Sequence, residues 1–123
     1  MTIKFSDSIR LDSDYLLIGN SRLHWAIRKD NTYEFFHTLF DQRFPKNINL
    51  KKLVWASVGK YPTSKLSNNN EISIKNLTLK AMPDHIGIDR ALACFAAHKT
   101  IENKLKKNIL IVDLGTTVSI TKI

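Results

Sequence analysis

The chain has 123 residues, of which 43% are hydrophobic and 24% charged, so it is long enough for one domain with an apolar core. Nineteen Lys and Arg residues against eleven Asp and Glu give a net charge of +8. No apolar run is long enough to span a bilayer, and the segment MTIKFSDSIRLDSDY lacks the apolar stretch of a secretory signal. A single cysteine, Cys94, excludes an internal disulfide and a cysteine-based metal cluster. These features predict a cytoplasmic protein with no membrane partner.

The first third of the chain predicts three strands. Residues Tyr15 to Ile18 form a short apolar run, and the dipeptide Gly19-Asn20 is typical of a two-residue hairpin turn. Apolar and polar residues then alternate from Leu23 to Arg28, as in a strand with one buried face. The segment RKDN predicts a second turn. TYEFFHTLF predicts a third strand over its first half, with a short helix as the alternative.

The rest of the chain predicts strands around one clear helix. LVWASV, Leu53 to Val58, is a buried-strand candidate, and ISIKNLTL alternates as a further strand after the loop LSNNNE. GIDRALACFAAHKTIENKL predicts a helix because Ile88, Ala91 and Phe95 recur at helical spacing. Two strands, NILIVDLG and VSITKI, follow it. The order predicts a mixed α/β domain followed by a fresh hairpin.

Several prominent residues favour structural roles. Cys94 falls within the predicted helix and is expected to be a small buried side chain. Trp25 and Trp55 lie on strand patterns and are expected in a core or an interface. The four histidines have no metal-ligand spacing. The lysines are scattered apart from KNINLKK and NKLKKN, with no interleaved aromatic residues, so we do not expect nucleic acid to be a partner.

One pattern of strand, glycine turn and strand occurs twice. Aligning Gly19 of YLLIGNSRLHWAI with Gly115 of ILIVDLGTTVSITKI places Leu17 opposite Asp113. A tight turn of Gly and small polar residues can bring backbone N–H groups toward phosphate oxygens. Taken alone, the first copy is more typical of an ordinary hairpin turn. Two such hairpins facing each other would clamp a nucleotide between two domains.

Four motifs occur in order along the chain: LLIGNSRLHWA, WASVGKYP, GIDRALACFAA and LIVDLGTTVSI. They resemble, in turn, the D-x-G-N-T phosphate hairpin, the S-V-x-P strand end, the G-x-D-R catalytic segment and the D-x-G-T-A phosphate hairpin of the type III pantothenate kinase family, which belongs to the actin-like ATPase superfamily. The resemblance implies a ribonuclease-H-like α/β domain with a mixed sheet and flanking helices over residues 1–107. Residues 108–123 would be the first hairpin of a second such domain, whose remainder is absent.

The resemblance implies transfer of the γ-phosphoryl group of ATP to pantothenate, the first step toward coenzyme A. Residues Leu17 to His24 match the first ATP-phosphate segment. The ATP-binding residues that it implies are Gly19, Asn20, Ser21, Arg22 and Thr116. Asp113 is implied to hold the potassium or ammonium ion that the family uses, and a role for Mg²⁺ stays open.

The same resemblance assigns the pantothenate site to the start of the predicted helix. Gly87, Ile88 and Arg90 are implied to bind pantothenate, and Asp89 is implied to be the catalytic base that takes the proton from its hydroxyl. Without the resemblance, Asp89 is more typical of an acid that complements the dipole of a helix N-terminus. Both roles place Asp89 in the first turn of the helix.

The sequence departs from the family pattern at several positions. Leu17 stands where the family usually has Asp, Thr117 where it has Ala, and Thr121 where an acid is common. The segment LKAMPDHIG lacks the pantothenate-contacting Tyr that usually precedes G-x-D-R, and the nearest upstream is Tyr61.

These departures keep two further function classes open. One is a non-catalytic domain that dimerises or regulates, and the other is a transcription-linked regulator, since members of the family have also carried a transcriptional-activator label. The apolar strands at the end of the chain predict exposed apolar surface and a homodimer. Because only the first half of the family's usual length is present, we expect weak ATP binding and little or no phosphorylation by these 123 residues alone.

Overall fold

The computed structural model describes residues 13–77, 82–101, 108–114 and 118–123. The strands are β1 (Tyr15–Ile18), β2 (Arg22–Lys29), β3 (Thr32–Leu39), β4 (Val54–Ser57), β5 (Leu110–Leu114) and β6 (Val118–Lys122), and the α-helix is α1 (Ile88–Ile101). Two short 3₁₀ turns cover Asn68–Asn70 and Ile74–Asn76. No helix within these ranges is long and apolar enough to cross a membrane.

Strands β1 to β4 form one mixed sheet in the order β3-β2-β1-β4. β2 runs antiparallel to β1 and β3, whereas β4 runs parallel to β1 with Ile18 beside Ser57. The carboxyl ends of β1 and β4 therefore lie side by side. The turn after β1 and the loop after β4 must leave the sheet at the same end, and the predicted mixed α/β class is confirmed.

The two faces of this sheet carry separate apolar clusters, since neighbouring residues of a strand point to opposite sides. Leu16, Ile18, Trp25 and Trp55 are buried on one face. The other face packs against α1 through a cluster formed by the side chains of Ala56, Leu77, Ile88, Ala91 and Phe95. The helix is thereby held against β4, close to the end of the sheet where the turn lies.

The predicted roles of the tryptophans and of Cys94 are confirmed. Both indole N–H groups are satisfied inside the core: Trp25 Nε1 donates to Thr38 Oγ1 at 2.9 Å, and Trp55 Nε1 donates to the Ser67 carbonyl at 2.9 Å. Cys94 is a buried free thiol on α1. Such satisfied polar groups let large side chains fill a core without a desolvation penalty.

The strand predicted from ISIKNLTL is wrong over its described part, which ends at Leu77. Glu71 forms an isolated parallel bridge with Trp55, and Ile74–Asn76 is a 3₁₀ turn. The Asn76 side-chain oxygen accepts from the Ser73 N–H at 2.8 Å, while the Asn76 N–H donates to the Ser73 carbonyl at 3.0 Å. Such local hydrogen bonds compete with a strand ladder and outweigh the alternating pattern.

TYEFFHTLF forms a strand throughout Thr32–Leu39, so the helix alternative is wrong and the strand is longer than predicted. It pairs with β2 across its whole length. The predicted turn at RKDN is confirmed, with Asp30 in the left-handed region at φ 53°. Aspartate tolerates this conformation better than most residues do.

The hairpin of β5 and β6 exposes apolar side chains, as predicted. In the register of this pair, five such residues share one face and are each at least 52% exposed: Leu110, Val112, Leu114, Val118 and Ile120. The opposite face contacts α1, where burial raises the pKa of the Cys94 thiol and the neighbouring Thr121 side chain opposes that rise. A two-stranded hairpin is marginal by itself, so this attachment to α1 helps to hold it in place.

Candidate functional site

The turn between β1 and β2 lies one residue later than predicted. The Gly19 N–H donates to the Arg22 carbonyl at 2.9 Å, so Asn20 and Ser21, not Gly19 and Asn20, are its two central residues. Both central residues are exposed, and their N–H groups donate to no described residue. The Gly19 N–H is already hydrogen-bonded within the turn. The groups open to an anionic ligand are therefore the N–H groups of Asn20 and Ser21.

Gly59 allows the loop after β4 to press against this turn. The Val58 N–H donates to the Ile18 carbonyl at 2.9 Å, which continues the parallel pairing past the end of β4. A Cβ atom at Gly59 would lie 2.8 Å from the Gly19 carbonyl oxygen. Only a residue without a side chain fits so close to another backbone. Gly59 was not among the predicted site residues, although it lies within the motif WASVGKYP.

Basic side chains flank the turn on the side of β3. Arg22 Nη1 donates to His37 Nε2 at 3.1 Å, so this predicted ATP-binding residue contacts β3. The His24 and His37 rings lie 6.4 Å apart between centroids. Partial burial, followed by the charges of His37 and Arg22, lowers the pKa of His24. Each of these effects disfavours a positive charge on His24, and a bound anion would oppose the two electrostatic ones.

The first turn of α1 holds the residues predicted to bind pantothenate. The Ala91 N–H donates to the Gly87 carbonyl at 3.0 Å, which opens the helix, and the Ile88 side chain is buried. Ile88 could therefore meet a ligand only through its backbone. Arg90 is exposed to solvent.

The Asp89 carboxylate folds back over its own helix turn. Its Oδ1 accepts from the Arg90 N–H at 2.8 Å and also lies over Gly87, where a Cβ atom would be 2.6 Å away. This contact is the one expected of a helix-terminal acid. The other carboxylate oxygen, Oδ2, forms no hydrogen bond with a described residue.

Leu17 occupies an apolar environment. Its side chain packs against the cluster that includes Ala56 and Ile88, on the face of the sheet covered by α1. Hard cations such as Mg²⁺ require oxygen ligands. A divalent cation therefore does not fit at Leu17, where the family usually carries a carboxylate.

Asp113 lies on β5, opposite Ser119 of β6, and is exposed. Its carboxylate forms no hydrogen bond or ion pair with a described residue, and no group of three or more His, Cys, Asp or Glu side chains that could hold a metal occurs in the described ranges. A single carboxylate supplies one hard-oxygen ligand, which is compatible with a monovalent cation. Thr116, the other predicted ATP-binding residue of this hairpin, lies outside the described residues, as do Gly115 and Thr117.

The structure thus brings some of the predicted residues together. The turn from Gly19 to Arg22 contacts the loop at Gly59, and the N-terminal part of α1 packs beside β4 through Ala56. No described contact joins Asp113 to Asp89 or to the turn. The described site lies at the end of the mixed sheet where the parallel strands β1 and β4 both finish. The tight turn after β1 contacts the loop after β4, and basic side chains flank the turn.

Comparison with known proteins adds a relative of stated activity. The chain is 33% identical over 112 residues to a type III pantothenate kinase of Synechocystis sp.. The match covers 86% of this chain but 42% of the relative, so the chain spans less than half of the relative's length. No family model matches the chain. No solved structure matches it either.

Proposed function

We propose that this chain is the phosphate-binding part of a type III pantothenate kinase, which transfers the γ-phosphoryl group of ATP to pantothenate in coenzyme A biosynthesis. The observation that carries the proposal is the match of 86% of the chain to a relative of that name. The ordered motifs from Leu16 to Ile120 support it, and the mixed sheet is compatible with a ribonuclease-H-like domain over residues 1–107. Residues 108–123 would open the second domain.

In this proposal the turn binds the ATP phosphates. The N–H groups of Asn20 and Ser21 donate to phosphate oxygens, and Arg22 supplies positive charge beside them. Catalysis of phosphoryl transfer depends chiefly on positioning and on charge neutralisation. Gly59 contributes by holding the loop of β4 against the turn, so that the two free N–H groups keep a fixed direction.

The start of α1 binds pantothenate. The Arg90 guanidinium pairs with the pantothenate carboxylate, and the open Oδ2 of Asp89 takes the proton from the hydroxyl that attacks the γ-phosphorus. The bond from that phosphorus to the bridging oxygen of ADP breaks as the new P–O bond forms. Asp113 would hold a monovalent cation, which would offset negative charge on the phosphates.

The test joins these 123 residues to the part of the Synechocystis relative that has no counterpart here. The chain alone is expected to bind ATP weakly and to phosphorylate little or no pantothenate, whereas the fusion should form labelled phosphopantothenate from labelled ATP. Calorimetry that finds a tight, potassium-dependent ATP site in the chain alone would contradict the first expectation. A folded fusion that binds ATP without turnover would contradict the kinase assignment.

A non-catalytic dimerising domain is the second candidate. Leu17 favours it, because the carboxylate usual at this position is replaced by a side chain packed in an apolar cluster. The exposed apolar face of β5 and β6 also favours it, since such a face is suited to association. Under this alternative the fusion would self-associate but would not turn over pantothenate.

A further inference from the structure

A cavity of about 1250 Å³ lies between the segment that follows β3 and the segment that follows β4. Asn20 of the turn forms part of its wall. None of the residues predicted from the sequence to bind pantothenate or a cation lines it. The cavity is large enough for a small organic molecule, because typical ligand sites measure about 300–1000 Å³.

One wall of the cavity is aromatic and is anchored in the core. The Tyr61 ring lies 5.0 Å from the Phe40 ring and 6.3 Å from the Phe44 ring, between centroids. Phe44 in turn packs edge-on against Trp25 at 5.1 Å. The three wall residues are half-buried, so part of each remains accessible. An anchored aromatic wall offers a preformed surface for a planar or apolar group.

The rim of the cavity is positively charged. Arg43, Lys60 and Lys65 contribute three positive charges against the one negative charge of Asp41, a net charge of +2. All four side chains are exposed, and none of the three cationic groups forms an ion pair or hydrogen bond with a described residue. These groups are available to an anion that enters beside the aromatic wall.

We propose that this cavity binds an organic anion in which a ring system is joined to a phosphate, sulfonate or carboxylate group. The ring packs on Phe40, Phe44 and Tyr61, and the anionic group meets Lys60 and Lys65 at the rim. Neither part of this recognition uses Asp89, Arg90 or Asp113, although Asn20, which lines the cavity, also belongs to the turn proposed to bind the ATP phosphates. Binding of a probe that is not a nucleotide tests this site, so its outcome is distinguishable from the phosphorylation of pantothenate by the fusion.

Titration of the 123-residue chain with 8-anilinonaphthalene-1-sulfonate tests the site, because this probe carries both aromatic rings and an anionic group. Lys60→Ala combined with Lys65→Ala is expected to weaken probe binding about tenfold. The matched control combines Lys51→Ala with Lys52→Ala, which removes the same charge from exposed residues that do not line the cavity. This control should change binding less than twofold.

The exposed apolar face of β5 and β6 is expected to bind this probe as well, so Ile120→Thr measures how much of the total probe binding occurs on that face. If probe binding survives Ile120→Thr but falls with the Lys60 and Lys65 substitutions, the cavity is the site. Equal binding by the two double-lysine variants would overturn the proposal, and so would loss of binding on Ile120→Thr alone. Tyr61→Leu, checked for native circular dichroism, should weaken binding as well, because it removes one ring of the aromatic wall, and unchanged binding would contradict the packing of the ligand ring on that wall.

Discussion

Replacing Gly59 by alanine tests the contact between the β1–β2 turn and the loop after β4. The new Cβ would lie 2.8 Å from the Gly19 carbonyl oxygen, a backbone atom that cannot rotate away. The φ angle of Gly59 is not positive, so alanine would ordinarily stabilise the chain by about 0.4–1 kcal/mol through its unfolded state. Overpacking of a tight contact costs about 1–3 kcal/mol. We therefore expect a net loss of about 1–2 kcal/mol in the free energy of unfolding.

Urea unfolding followed by tryptophan fluorescence measures this loss, because Trp25 and Trp55 are both buried in the core. Lys60→Ala, one residue further on, shortens an exposed side chain and should change the free energy of unfolding by less than about 0.5 kcal/mol. ATP binding should also weaken in Gly59→Ala, since relief of the contact displaces the turn. A Gly59→Ala chain as stable as the parent would refute the tight contact.

Three further predictions concern chemistry, pH and assembly. In the active fusion, Asp89→Asn should reduce turnover about a hundredfold to ten-thousandfold while changing the free energy of unfolding by about 1 kcal/mol or less. If Asp89→Asn keeps turnover within a factor of a few of the parent while Asp113→Asn is inactive, Asp89 is a helix-terminal acid only. The pKa of His24 in the folded chain lies below its ordinary value of 6.5. Between that lowered pKa and pH 6.5, the unfolded chain therefore binds more protons than the folded chain. The stability present above pH 6.5 should fall as the pH drops through the lowered pKa. Urea unfolding at several pH values should show this slope, reduced in His24→Gln, and an equal slope in both proteins would contradict it. Light scattering should find the chain self-associated, and Val112→Thr with Ile120→Thr should shift it toward monomer by making the exposed face polar; a monomeric parent at micromolar concentration would count against this.

The sequence predicted most of the strands and the helix because their apolar patterns agree with their burial. Tyr15–Ile18 is a strand with the predicted bounds, and the alternation after it places Leu23 and Trp25 in the core. The same reasoning failed at ISIKNLTL, where the Ser73 and Asn76 side chains hydrogen-bond to the backbone within one turn. A pattern of alternating residues does not reveal such local competition.

The candidate site was predictable only in part. The dipeptide Gly19-Asn20 and the resemblance indicated a phosphate-binding turn, but the sequence did not show which N–H groups remain free. That depends on the hydrogen bond from Gly19 to Arg22, which leaves Asn20 and Ser21 open. Asp89 was correctly placed in the first turn of a helix, and its catalytic role stays a prediction.

The sequence by itself determined most of the elements and the motif residues, because each depends on neighbours a few positions away. Only the tertiary structure decided which distant segments contact the turn and the strand before it. Parallel pairing of β1 with β4 carries Gly59 to Gly19 across forty positions of the chain, and packing of α1 on β4 surrounds Leu17 with apolar side chains. Such contacts arise from the order of the strands in the sheet, and local periodicity contains no information about that order.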